Sequence, residues 1–306
     1  MPETFSEASV PDQSGRTIVI TGANTGIGYE AARVLAGRGA RVLLGCRSAD
    51  KASAARDRIR ALHPKAEMEL LSLDLGSLQS VREAAAEAAT EQRLDLLVNN
   101  AGIMIPPREE TADGFESQFG VNHLGHFALT GLLLEKLLAT PGSRVVNVSS
   151  GAHKWGKIEF DDVNATRSYN RQTRYGMSKL ANLLFTFDLQ RRLATAGAET
   201  IAVACHPGVS EPELSRNMPA WMKLLTPVFR LLSHPPPQGA LPTLRAATDP
   251  QVEGGQYYGP AGLLEMSGPP VLVEGNEASQ DTQVARRLWD LSVELTGVDP
   301  ELHPVD

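Results

Sequence analysis

The sequence predicts a doubly wound α/β domain in three layers, a parallel sheet between two layers of helices, with a small helical substrate lid. Three observations predict it. Short aliphatic runs recur along the chain, each is short enough for a strand buried on both faces, and longer stretches with helical spacing separate them. Strand alternating with helix implies right-handed crossovers, and so a parallel sheet covered on both sides.

The aliphatic runs lie at 17–20, 42–44, 68–73, 94–98, 144–148 and 200–205. The Ala/Leu/Arg/Glu-rich stretches between them, at 27–38, 49–62, 77–90, 114–139 and 171–196, are expected helices. No Pro/Gly-rich linker divides the chain before about residue 210 and no internal repeat is present, so residues 1–306 read as one domain. Residues 1–14 are polar and are expected to form a flexible arm. The segment 211–238 is apolar, helical in pattern and broken by prolines, which suits a lid. The C-terminal extension 254–306 should add a strand near 256–258 and an amphipathic helix at 281–295, after a helix at 239–248.

A formal charge of -7 with no concentrated basic track argues against a nucleic-acid partner. The 42% hydrophobic content is that of an ordinary globular protein. Cys46 and Cys205 each end an apolar run and read as free buried thiols in a reducing compartment. No Cys/His cluster has metal-ligand spacing, so no metal is expected. The polar start has no apolar h-region, hence no signal peptide or membrane anchor, and the expected location is the cytoplasm.

After the first strand comes Thr21-Gly22-Ala23-Asn24-Thr25-Gly26-Ile27-Gly28, which opens the first helix. A pyrophosphate needs backbone N–H groups at a helix N-terminus, where the dipole and unpaired donors both favour negative charge. Glycines allow the tight turn and the close approach of backbone to phosphate. The turn therefore reads as a dinucleotide site, with a plain strand–helix connection as the alternative. An acidic residue about 20 positions on would select NAD by accepting from the ribose 2′-OH. Here Arg47 and Ser48 follow the second strand, and a guanidinium with a neighbouring hydroxyl suits a 2′-phosphate, so the cofactor is expected to be NADP(H) rather than NAD.

Further motifs follow in order: Asp74 after the third strand, NNAG at 99–102, Asn122 in VNHLGHF, VNVSS at 146–150, YGMSK at 175–179 and HPG at 206–208. With TGANTGIG, this series resembles the short-chain dehydrogenase/reductases, whose fold is Rossmann-like. GGQYYGP at 254–260 and ARRLWDLSVELTG at 285–297 are similar to the retinol-dehydrogenase-like branch. The resemblance implies a catalytic set of Asn122, Ser150, Tyr175 and Lys179. Tyr175 would be the proton carrier, Ser150 the donor to the substrate oxygen, and Asn122 the holder of a relay water. Lys179 would also hold the nicotinamide ribose. It further implies that Asp74 and Leu75 receive the adenine, that Asn100, Ala101 and Gly102 line the cofactor floor, and that Pro207, Gly208, Val209 and Ser210 close over the cofactor. His153 and Trp221 are expected substrate contacts, and a homodimer or homotetramer is the expected assembly.

Elementary electrostatics supports the tyrosine's role. Tyr175 and Lys179 are four apart in a helical stretch and so share a face. One ammonium about 4 Å from a phenol, at an effective dielectric of about 20, offers roughly 4 kcal/mol before desolvation, enough to bring its ionisation towards neutrality. Asp74 has an alternative reading as a helix cap. His123 and His126 lack an acidic or thiol partner and read as helix-packing residues.

One departure stands out. The family usually places Val and Thr or Ser after Pro-Gly, where they contact the nicotinamide carboxamide and a phosphate, whereas here Ser210 and Pro212 take those places. Pro212 has neither the hydroxyl nor the N–H. Three functions are open at this point: an NADP(H)-dependent oxidoreductase on a bulky apolar alcohol/carbonyl pair, a non-catalytic NADP(H)-binding regulator, and a nucleotide-sugar epimerase or dehydratase. The ordered set of four catalytic residues favours the first.

Overall fold

A computed structural model describes residues 4–209 and 234–302. The strands are β1 (Thr17–Thr21), β2 (Arg41–Cys46), β3 (Met68–Ser72), β4 (Leu96–Asn99), β5 (Arg144–Val148), β6 (Ile201–Cys205), β7 (Tyr257–Pro260) and β8 (Pro270–Leu272). They form one sheet in the order β3-β2-β1-β4-β5-β6-β7-β8, parallel throughout except for the antiparallel β7–β8 pair. The order reverses between β1 and β4, where doubly wound sheets open a crevice at the carboxyl ends of their strands.

Period-two alternation sorts the strands' side chains between the two faces. Ile18, Ile20, Val42, Leu44, Val98, Val146 and Val203 pack under α1 (Gly26–Gly37), α2 (Ala49–Leu62) and the helix Leu241–Thr248. Val19, Leu43, Leu71, Leu97, Val145 and Ala202 pack under α3 (Leu78–Ala89), the helical run from Ser117 to Leu138, α6 (Arg171–Thr195) and the last helix, Thr282–Thr296. Both faces are dry, which is why these strands read as unbroken aliphatic runs. Two asparagines interrupt them. Asn99 and Asn147 are cross-strand partners, and Asn99 Nδ2 donates to Asn147 Oδ1 at 2.8 Å and to Thr130 Oγ1 at 2.9 Å. Asn147 Nδ2 reaches Thr186 Oγ1 at 3.0 Å, so these amide donors are satisfied inside the layer.

The helix expected over 114–139 is three pieces: α4 (Ser117–Phe119), a π-helical turn (Gly120–Leu124) and α5 (Gly125–Leu138). The π turn falls on Asn122. The last helix is capped by Asp281, which accepts from Gln283 N and Val284 N, and ends on Gly297 in the left-handed region at φ +64°. Its Trp289 stands edge-on to Phe127 at 5.2 Å and lies 5.8 Å from Phe185, so the C-terminal extension completes the core over α5 and α6. β8 was not expected, because a three-residue strand flanked by Gly and Pro carries no alternation to read.

The expected flexible arm is corrected for residues 4–14. Phe5 and Val10 are buried in the cluster beneath α1, and Glu7 forms an ion pair with Arg33 at 2.7 Å. Arg38 donates to the Glu7 and Ala8 carbonyls. Two apolar residues inside a polar stretch are enough to tie it down. Both cysteines are free and buried, and burial pushes Cys46 up to about 11 and Cys205 up to about 12, so both stay protonated thiols. Among the described residues no helix is long and apolar enough to cross a membrane, and no group of His, Cys, Asp and Glu could hold a metal.

Candidate active site

The Gly-rich turn joins β1 to α1. Gly22 and Gly26 have φ of +69° and +57°, left-handed values that other residues adopt at a cost. At Gly28 the limit is space: a Cβ there would lie 2.6 Å from Gly22 O, and Asn100 Nδ2 is closer still. Nothing lies within 4 Å of the position a Cβ would take on Gly26, so that glycine leaves a cradle beside the helix end. Thr25 is the N-cap of α1, but its side chain makes no capping bond. Asn24 lends its carbonyl to Arg58 Nη2 at 3.3 Å, and Ile27 is buried. Open space and uncapped N–H groups at a helix N-terminus fit a pyrophosphate.

Arg47 is exposed where β2 ends, and Ser48 is the N-cap of α2, its Oγ accepting from Lys51 N at 3.4 Å. Arg58 was missed from the sequence. It lies over the Tyr29 ring at 4.5 Å while bonding Asn24, and so brings a guanidinium to the Gly-rich turn. A residue that reaches across from α2 to α1 leaves no local pattern.

Asp74 does not cap the helix; Ser77 caps α3. Asp74 Oδ1 accepts from Gly76 N at 2.9 Å in a local turn. Leu75 is buried, and its carbonyl leaves no room for a Cβ on Gly125. Asn100 is a strut for the turn: its Nδ2 donates to Thr21 O at 2.8 Å. Thr21 Oγ1 accepts from Asn100 N and Ala101 N, both at 2.9 Å. Gly102 lies between two polar groups, Asn122 Oδ1 and Lys179 Nζ, which would be 3.2 and 3.5 Å from a Cβ there.

Those two groups belong to the expected catalytic set. Asn122 is fully buried; its Oδ1 accepts from Ile103 N at 2.8 Å, and its Nδ2 donates to Ile103 O and to Ser178 Oγ, both at 3.0 Å. The side chain is thus spent on protein partners. Lys179 Nζ donates to Val148 O at 3.1 Å and lies 5.9 Å from the centre of the Tyr175 ring. Both residues are on the buried face of α6. Ser149 and Ser150 part ways. Ser149 Oγ donates to Lys179 O at 2.8 Å and is buried, while Ser150 Oγ accepts from Ala152 N at 3.2 Å and is partly exposed. An amide donating into the Ser150 oxygen leaves its own proton to donate onward.

His153, the expected substrate contact, faces protein partners. The ring is fully buried, its Nδ1 is 2.7 Å from Ser150 O, and it stands edge-on to Tyr257 at 5.7 Å. It braces the Ser150 loop from behind. The backbone of Val209, one of the residues expected to close over the cofactor, is already engaged: its N–H goes to Met266 O at 2.8 Å and its carbonyl accepts from His234 N at 3.1 Å. Pro207 precedes Gly208, whose φ is +73° and whose Cβ would meet Met266 O. The loop carrying Met266 is held from below: Glu265 lies 3.0 Å from His206 Nε2 and 2.9 Å from Lys154 Nζ. Those two partners, His206 first, hold its carboxyl down to about 2. Ser210, Pro212 and Trp221 lie outside the described residues, as does most of the expected lid; of it, 234–238 leads into the helix Pro236–Gly239.

His123 and His126 are both fully buried. Burial is the main cause that pushes them down, to about 3 and about 4, so both are neutral. Unfolded, each would titrate near 6.5. Between about pH 6.5 and pH 4 the unfolded chain therefore binds up to two more protons than the native one, so stability falls as pH drops through that window. The steepest loss should be on the order of 2 kcal/mol per pH unit. Melting temperatures taken in steps from pH 7.5 to 5 should decline from about pH 6.5 downwards; a flat profile to pH 5 would contradict neutral burial.

Comparison with known proteins agrees with this geometry. The short chain dehydrogenase family model matches residues 16–223. Human retinol dehydrogenase 13 is 43% identical over 303 residues, covering 96% of this chain and 87% of that protein. Mouse retinol dehydrogenase 12 is 43% identical over 293 residues, covering 94% and 88%. An uncharacterized protein from Mycobacterium paratuberculosis has a crystal structure with a TM-score of 0.83 at 40% identity, covering 98% of this chain and 100% of that one. A protein assigned as an NAD(P)-dependent gluconate 5-dehydrogenase from Beutenbergia cavernae, solved with bound NADP, gives a TM-score of 0.62 at 26% identity, covering 80% and 94%. With the Gly-rich turn, the Ser150 loop and the Tyr175–Lys179 face assembled in one sheet, the chain belongs to the short-chain dehydrogenase/reductase family and is retinol-dehydrogenase-like within it.

Proposed function

We propose that this oxidoreductase is NADP(H)-dependent and works on a bulky apolar alcohol/carbonyl pair. The observation that carries the reaction is the meeting of Lys179 Nζ with the Val148 carbonyl, which brings the face bearing Tyr175 against the strand end that presents Ser150. The cradle at Gly26 and the uncapped end of α1 suit the pyrophosphate, with Arg47, Ser48 and Arg58 on the side that reads a 2′-phosphate. When bound, the nicotinamide supplies or takes the hydride. Ser150 donates its proton to the substrate oxygen and Tyr175 exchanges a proton with that oxygen. Lys179 favours the phenolate by its charge. Asn122, its side chain already spent, offers its backbone carbonyl to a proton-relay water.

The apolar substrate rests on two supports. Retinol dehydrogenases 12 and 13 carry an apolar alcohol in their names. Leu263 and Leu264, exposed by 77% and 79%, sit on the loop that Glu265 and Met266 fasten beside Gly208. NADPH oxidation with straight-chain aldehydes of increasing length tests the reading. Turnover efficiency should rise until the pocket is full, each buried CH₂ contributing up to about 0.8 kcal/mol. Equal efficiency with acetaldehyde and with long aldehydes would overturn the apolar substrate. No oxidation with any of them would favour the cofactor-binding regulator.

A further inference from the structure

His126 is a buried titratable side chain that the mechanism above does not use. It lies one turn beyond Asn122, and its ring bridges two groups of the site. Its Nδ1 is 3.0 Å from the Asn122 carbonyl oxygen, and its Nε2 is 2.9 Å from Thr21 Oγ1. Proton bookkeeping fixes the direction of both bonds. Thr21 Oγ1 already accepts two amide protons, from Asn100 and Ala101, and has one proton of its own to give. Its nearer acceptor is His126 Nε2, since Val98 O lies 3.4 Å away. Nε2 is therefore bare, Nδ1 carries the hydrogen, and Nδ1 donates to the Asn122 carbonyl. The other titratable groups acting on this ring are His123 and Lys179. A charged His126 would face the Lys179 ammonium in a dry interior, and burial keeps the ring neutral instead.

We propose that His126 is a positioning residue for proton relay, aiming the Asn122 carbonyl and coupling it through Thr21 to the Asn100 and Ala101 amides of the cofactor floor. This rests on the relay role given to Asn122 above. A carbonyl oxygen has two lone pairs. His126 engages one and leaves the other for the relay water, while a continuous chain of hydrogen bonds ties the π turn to β1 and to the loop after β4. Neither end of that chain can itself pass a proton, because a carbonyl only accepts and the amides only donate. Its part is to aim.

Three substitutions separate aiming from packing. His126→Asn keeps a donor within reach of the Asn122 carbonyl. His126→Gln moves the donor out towards Thr21, and His126→Leu keeps bulk alone. Steady-state NADPH oxidation with nonanal should show kcat reduced about tenfold in the Leu and Gln variants and within about twofold of wild type in the Asn variant, with KM for NADPH unchanged in Leu and Gln. Melting temperature, recorded alongside, identifies a variant that has merely lost its packing. If all three lose kcat equally, or all three keep it, the proposal is overturned. A second readout does not need turnover: long-range 1H–15N spectra should show the His126 ring neutral with Nδ1–H between about pH 6 and pH 9. An Nε2–H tautomer, or a ring that titrates in that range, overturns the proposal while leaving the hydride-transfer reading intact. A wild-type protein that fails to oxidise NADPH with every aldehyde overturns both.

Discussion

Tyr175→Phe is expected to lower turnover by at least about a hundredfold while cofactor affinity changes little, because in the proposed mechanism it removes the hydroxyl that exchanges a proton with the substrate oxygen. The ring is 8% exposed and packs in α6 among buried neighbours, so the phenyl ring of the variant keeps the same contacts. Lys179 keeps its bond to Val148 O, which does not involve the phenol oxygen. The loss should therefore fall on kcat and not on KM for NADPH, the pattern of an interaction made in the transition state. Turnover and NADPH affinity measured on one preparation decide the matter. A variant that keeps more than about a tenth of wild-type turnover would remove Tyr175 from the role of acid and base.

Arg47→Asp should reverse the cofactor preference. Arg47 is exposed where β2 ends and α2 begins, so the substitution disturbs no core contact. A carboxylate there repels a 2′-phosphate and accepts from a 2′-OH instead. Exchange of one charge sign beside a dianion should lower kcat/KM for NADPH by about a hundredfold, or about 2.7 kcal/mol, and leave NADH equal or better. Arg58, held on Tyr29 and Asn24, remains as a second positive charge, so residual NADPH use is expected to depend on it. If the wild type already uses NADH as efficiently as NADPH, Arg47 is a surface residue and the NADP reading fails.

The parallel layers were legible because β1, β2, β4, β5 and β6 are buried on both faces, and such strands announce themselves as unbroken aliphatic runs separated by helical spacing. Tyr175 and Lys179 were legible for a similar reason, since four residues on a helix are neighbours whatever surrounds them. β8 was not legible, and the burial of Phe5 and Val10 was hidden by the polar residues around them. His126 read as a packing residue because no acidic or thiol partner stood near it in the chain; the hydroxyl that its ring meets, on Thr21, is 105 positions away.

By itself, then, the sequence determined what is local: the order of strands and helices, the glycine turn where φ must be positive or a Cβ has no room, and the helical spacing of Tyr175 and Lys179. What only the tertiary structure decided is which polar groups are already spent. It ties Val209 to Met266, turns His153 behind the Ser150 loop, and commits the Asn122 side chain to Ile103 and Ser178. Ser149 looks as reactive as Ser150 in the chain, and differs because its proton goes to the Lys179 carbonyl. The physical reason is that a buried polar group must find a partner wherever the fold supplies one. Those partners come from segments far apart in sequence, so no local window records which hydroxyl, amide or carbonyl is left to do chemistry.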